Sequence, residues 1–126
     1  MSTYQQYVRV LSVAGSDSGG GAGIQADLKT ISSLGCFGMT AITAITAQNT
    51  QGVSDIHAIP PATLRAQMDA VLSDMGADAI KIGMLHDVDT VMTVAGCLQR
   101  YAVNSVVLDP VMVATSGAVL IQSTAI

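Results

Sequence analysis

Tryptophan is absent from this chain of 126 residues, phenylalanine occurs once and tyrosine three times. Large rings therefore cannot dominate the core. Ala, Val, Ile, Met and Gly must do the packing, which suits close helix-on-sheet contact better than a β-sandwich. Basic residues are equally scarce, five Lys and Arg against nine acids, for a formal net charge of -4. A nucleic-acid binder needs a cationic footprint, and none is available here. No basic amphipathic face suggests a membrane surface, and no apolar run is long enough to span one. The opening "MSTYQQYVRV" lacks the hydrophobic region of a secretory leader, so the expected location is cytoplasmic. Cys36 and Cys97 are far apart, with no His or Cys at ligand spacing. They are expected to be buried apolar cysteines and to form neither a zinc site nor a disulfide. His57 and His86 are isolated and read as surface or edge residues.

The residues that are present alternate in pattern. Residues 8–14 form a short apolar run that leads into glycines. Residues 22–34 place Ile24, Leu28, Ile31 and Leu34 at helical spacing, with Gly35 as a stop. Residues 37–47, "FGMTAITAITA", are uncharged and β-branched, and predict one buried strand, apolar on both faces. Residues 52–59 predict a further extended segment, an edge strand or flap. Pro60 and Pro61 open a helix whose stripe is Leu64, Met68, Val71, Leu72 and Met75, closed by Gly76. Residues 79–82 are a short strand. Residues 88–101 are a third helix, with Val91, Met92, Ala95 and Leu98 expected to face inward. Residues 105–108 are a last strand, ending at Asp109. The order β-α-β-β-α-β-α-β predicts a single α/β domain with a parallel sheet covered by helices. Ligands in such sheets bind beyond the carboxyl ends of the strands. The residues there are 15–23, 48–50, 83–84 and 109–112.

Five glycines crowd residues 15–23. A P-loop needs lysine after its second glycine, and Gly21 stands in that place after Gly20, which excludes it. Gly21-Ala22-Gly23-Ile24-Gln25-Ala26 satisfies the dinucleotide pattern after a strand. The acid expected about 20 residues on is missing, so the match is weak. Sharp turning and tight packing explain some of the glycines. They leave unexplained Asp17 and Asp27 in so charge-poor a chain. Asp27 falls in the first turns of a helix, where the positive end of the dipole stabilises a carboxylate that could accept from a neutral ligand. Asp17 fits a turn or cap equally well.

Four stretches, "AGSDSGGGAGIQADLKT", "TAITAQNTQGV", "AIKIGML" and "VVLDPVMVATSG", together resemble the hydroxymethylpyrimidine/phosphomethylpyrimidine kinases of thiamine biosynthesis. These are ribokinase-like proteins close to the pyridoxal kinases. The resemblance runs from about residue 8 to residue 120. It implies a ribokinase-like three-layer α/β/α sandwich with a mostly parallel central sheet. It also implies an enzyme that uses ATP and Mg2+ to phosphorylate 4-amino-5-hydroxymethyl-2-methylpyrimidine and then its monophosphate. The full-length form is expected to be a homodimer. Carried onto this chain, Asp27 and Gln48 would hydrogen-bond the pyrimidine and Gly15 would let the backbone approach the ring. Met84 and Val111 would pack against its faces, and Asp109 would lie near phosphate and metal. The side-chain chemistry suits a flat heterocycle. Gln48 offers a donor and an acceptor from one amide, and Met84 moulds to a ring. Plain core packing for Met84 and Val111, and a turn or cap for Asp109, remain open readings of the residues alone.

The family's members are about twice as long as this chain. Their ATP-binding residues and a glycine-rich segment that opens a helix onto the transferred phosphoryl group lie in the second half. Nothing in the 126 residues matches that segment. The chain is therefore expected to be a single domain, 1–126, truncated on its C-terminal side. It would supply the substrate-binding half and no catalytic residues, with an exposed strand edge that favours self-association. A free-standing pyrimidine-binding module, or a pyridoxal kinase, are the alternatives.

Overall fold

The computed structural model describes residues 6–109. In chain order the elements are β1 (Arg9–Ala14), α1 (Gly23–Ser33), β2 (Phe37–Ile42), β3 (Ala44–Asn49), β4 (Gly52–Ala58), α2 (Pro61–Asp74), β5 (Ala79–Ile82), α3 (Val88–Arg100) and β6 (Ser105–Leu108). The main sheet has the order β2-β1-β5-β6, and all its pairings are parallel. β3 and β4 form a separate antiparallel hairpin. The helices and the strands β1, β5 and β6 fall within two residues of the sequence-predicted bounds.

The uncharged run that predicts one strand is instead two. The chain leaves the sheet at Thr43, and the second half turns away as β3. Three backbone and side-chain bonds hold that exit. Thr43 N–H donates to Ala14 O (2.9 Å), Thr43 O accepts from Ile59 N–H (3.0 Å), and the Thr43 hydroxyl donates to Met84 O (2.7 Å). Gln67 of α2 caps the last residue of β2 like a missing strand. Its Oε1 accepts from Ile42 N–H (2.8 Å) and its Nε2 donates to Ile42 O (3.0 Å).

Period-two alternation sorts the sheet residues onto two faces. Leu11, Val13, Met39, Ala41, Ile80 and Ile82 meet Leu64, Met68 and Leu72 of α2 and Val94 and Cys97 of α3 in one buried cluster. Helix α1 covers the opposite face, where Gly38 admits Leu28 and Ile31. These three layers are the α/β/α arrangement the resemblance implies. Helix α3 is turned from its expected phase. Thr90, Val94 and Cys97 are its buried residues, while Met92 is 66% exposed and Ala95 faces out. The stripes that include and exclude Met92 are both apolar in this sequence, so periodicity alone could not choose between them. Asp87 fixes the helix start, accepting from Thr90 N–H at 2.8 Å.

At the opposite, amino end of the strands, Arg9 donates twice to Asp78 and also to Met75 O, joining β1, α2 and β5. This guanidinium holds the Asp78 carboxyl at about 2, below its usual value of 3.8. Among the described residues β6 pairs with β5 alone, and Val106, Val107 and Leu108 are all exposed. No helix among the described residues is long and apolar enough to cross a membrane. Cys97 is buried as expected, and Cys36 is half-buried; both thiols are free.

Candidate active site at the strand ends

The strand order locates the site. From β1 the chain passes through α1 to β2 on one side; from β5 it passes through α3 to β6 on the other. The connections diverge between β1 and β5, which opens a crevice at their carboxyl ends. Gly15 follows β1 there, and Gly83 and Met84 follow β5.

Gly15 and Met84 touch. A Cβ built on Gly15 would sit 2.3 Å from Met84 Cε, so a side chain there would displace the methionine's terminal methyl. Met84 is 5% exposed and packs with Ala44, Val53 and Ile56 of the hairpin. Gly23, at the start of α1, has φ +58 and presses on Gly15 O, which accepts from Ile24 N–H at 2.9 Å. Any side chain at Gly23 meets that oxygen at 2.3 Å as well as an unfavourable backbone angle.

The glycine loop between them is organised by Asp17. Its Oδ1 accepts from Gly19 N–H (2.8 Å), and its Oδ2 accepts from Gly21 N–H (2.9 Å) and Ala22 N–H (2.8 Å). Asp17 N–H donates to Gln25 Oε1 (2.7 Å). Of the turn and cap readings left open by the sequence, Asp17 is thus the turn residue: it holds the loop before α1 and no side chain caps that helix. The amides that a phosphate loop would present to an anion are already given to a buried carboxylate.

Serines and threonines then lace this loop to β3. Ser16 N–H donates to Ala44 O (2.9 Å), and the Thr46 hydroxyl donates to Ser16 O (2.6 Å). The Ser18 hydroxyl accepts from Gln48 N–H (2.7 Å) and donates to Gln48 O (2.5 Å). Gln48 is thereby fixed on the wall of a cleft of about 580 Å³ with Asp17, Gly19, Gly21, Asn49 and Thr50. Its Oε1 lies 3.2 Å from the Thr46 hydroxyl oxygen, whose single proton goes to the nearer Ser16 O.

Asp27 and Asp109 are not among the residues that line that cleft. Asp27 lies in the second turn of α1, within the first turns as expected, and faces the sheet. It accepts from the Ser12 hydroxyl (2.7 Å) and from Lys81 Nζ at both oxygens (3.1 and 3.0 Å). Asp109 is exposed at the end of β6, one strand beyond the crevice, with its N–H on Ile82 O. Val111 lies outside the described residues. Residue-type reasoning missed Thr43, Ser16, Ser18, Ser12 and Lys81. Lys81 carries a signal that could have been read, as the one charge in the strand "AIKI" of a charge-poor chain.

Among the described residues no three His, Cys, Asp or Glu gather to hold a metal. The amides of Gly19, Gly21 and Ala22 are occupied by Asp17 and are not free for a phosphate.

Comparison with known proteins agrees with this architecture. Residues 17–126 match the family described as phosphomethylpyrimidine kinase. The chain is 52% identical to the hydroxymethylpyrimidine/phosphomethylpyrimidine kinase of Bacillus subtilis, over 94% of this chain and 44% of that protein. It is 51% identical to the Escherichia coli protein of the same name, over 94% and 45%. It therefore spans less than half the length of these curated relatives. Among solved structures, a phosphomethylpyrimidine kinase from Clostridium difficile superimposes with a TM-score of 0.87 at 44% identity, covering 94% of this chain and 51% of that one. A Staphylococcus aureus pyridoxal kinase solved with AMP-PCP and pyridoxal gives 0.77 at 38% identity, over 85% and 40%. Its match over most of its length places this chain in the phosphomethylpyrimidine kinase family.

Proposed function

We propose that this chain forms the substrate end of a kinase acting in thiamine biosynthesis. The enzyme would phosphorylate 4-amino-5-hydroxymethyl-2-methylpyrimidine and then its monophosphate, with ATP and Mg2+ as co-substrates. One observation carries the reading to this chain: Gly15 and Met84 meet where the β1 and β5 connections diverge, and Gln48 is held to Ser18 on the loop that follows Gly15. An apolar thioether and a flat glycine surface suit one ring face, and the Gln48 amide suits a ring edge that both donates and accepts. Val111 and Asp109 complete the proposed set, packing against the ring and lying near phosphate and metal. Phosphoryl transfer depends on positioned charge. The part this chain plays is to bind and orient the pyrimidine, with Asp109 toward the phosphate side. Use of ATP is supported by the AMP-PCP-bound pyridoxal kinase relative. Homodimer formation and a cytoplasmic location belong to the same proposal.

Isothermal titration of the chain with the pyrimidine, and with pyridoxal for comparison, tests it. Saturable pyrimidine binding, weakened at least about tenfold by Gln48→Ala, is expected. Equal affinity for Gln48→Ala and the parent chain would remove Gln48 from the site. Tighter binding of pyridoxal would reassign the substrate ring.

A further inference from the structure

The face under α1 carries an arrangement that fold stability does not call for. Ser12 and Lys81 are register partners on the adjacent parallel strands β1 and β5. Both reach Asp27 on the helix above. The Ser12 side chain is fully buried, and the ion pair is mostly enclosed, with Lys81 and Asp27 side chains 28% and 18% exposed. A few residues away, Gly38, Leu28 and Ile31 close the same helix–sheet interface with apolar contact alone. Replacing an enclosed ion pair with packed apolar groups is often neutral or stabilising, so its presence needs another reason.

Its position supplies one. A Cβ on Gly83 would stand 3.1 Å from Lys81 Nζ, so the ammonium lies beside Gly83, at the carboxyl end of β5 next to Met84. The other cations are elsewhere: Arg9 is on Asp78 at the amino end of the sheet, Arg65 is paired with Asp69, Arg100 lies over Tyr101, and Lys29 reaches Gly20 O on the loop. Lys81 is the cation beside the Gly83–Met84 turn. Its hold on Asp27 is specific. Oδ2 accepts from both Ser12 and Lys81, and Oδ1 accepts from Lys81. A carboxylate has about four acceptor directions, so one remains, on Oδ1.

We propose that Lys81 and Ser12 are positioning residues that fix Asp27 so that a single acceptor direction on Oδ1 is offered to one donor group of the pyrimidine substrate. Lys81 thereby sets substrate affinity without touching the substrate. The proposal rests on the reading of this end of the sheet as the pyrimidine site, and its test separates the two.

The pyrimidine is titrated into the chain and into Lys81→Met, Lys81→Arg, Ser12→Ala, Asp27→Asn and the double variant Lys81→Met/Asp27→Asn, with thermal midpoints recorded for each. Lys81→Met is expected to weaken binding at least about tenfold, the scale of a lost charge-assisted hydrogen bond. Lys81→Arg should retain most of the affinity, and Ser12→Ala should lose only a few-fold. Lys81→Met should add nothing in the Asp27→Asn background. Parent-like affinity for both Lys81→Met and Ser12→Ala, with Asp27→Asn impaired, would overturn the positioning role and leave the site reading intact. Parent-like affinity for Asp27→Asn would remove Asp27 from the site and the proposal with it. If Lys81→Met fails to fold, Ser12→Ala and Lys81→Arg decide: a lowered midpoint with parent-like affinity for Ser12→Ala marks a purely structural role.

Discussion

The two faces of the sheet are built differently. Beneath α2 and α3, Leu11, Val13, Ile80 and Ile82 meet Leu64 and Met68 with essentially no exposed atoms and no polar group on the strand side chains. Beneath α1, the same strands present Ser12 and Lys81 to a carboxylate. The first face accumulates hydrophobic stabilisation; the second gives some up and gains fixed polar atoms at the carboxyl ends of β1 and β5. In the proposed reading, stability and recognition fall on opposite sides of one four-stranded layer. The substitutions that damage each should be separable.

The largest effect is expected on the apolar face. Leu64→Ala leaves a cavity in the shared cluster and should cost about 4 kcal/mol of folding free energy, measured by urea unfolding. Pyrimidine affinity of the molecules that remain folded should be unchanged. Gly23→Ala comes next, at about 2–3 kcal/mol, because it forces φ +58 on a residue with a Cβ that meets Gly15 O. Here affinity should fall with stability, since Gly15 must move. Asp17→Ala strips three loop amides of their acceptor and should cost about 1–2 kcal/mol, again with weakened binding.

The smallest effect belongs to the far end of the sheet. Asp78 titrates at about 2 in the folded chain against a usual 3.8, held there chiefly by its hydrogen bonds to Arg9. A depressed carboxyl pKa stabilises above 3.8 and loses that stabilisation as pH falls through about 2. The gap in thermal midpoint between the parent and Asp78→Asn should be flat at neutral pH and close below pH 3.8, with binding unaffected at neutral pH. The pair is exposed, so the gap should be small.

The sequence carried the apolar face well, because helical and strand periodicities there match burial: Leu64, Met68 and Leu72 are the buried residues of α2 as their spacing predicts. It carried the site less well. After Gly38 the run to Ala47 has no glycine, proline or charge to mark where the chain leaves the sheet. The turn at Thr43 is decided by tertiary bonds to Ala14, Met84 and Ile59, which leave no local trace. The family resemblance brought forward Gly15, Gln48, Met84 and Asp27, but nothing in their order along the chain shows that Gly15 and Met84 touch or that Asp27 is claimed by Lys81. Those relations arise from register between β1 and β5, separated by more than 60 residues of chain.

The division between the two faces is tested most directly by labelling the methyl groups of the seven methionines and recording their NMR spectrum during pyrimidine titration. Met84 lies against Gly15 at the strand ends, and Met68 is fully buried beneath the other face. The account predicts a large saturable shift of the Met84 methyl with Met68 unmoved. A titration in which Met68 shifts as much as Met84, or in which the pyrimidine binds and Met84 stays fixed, would contradict it.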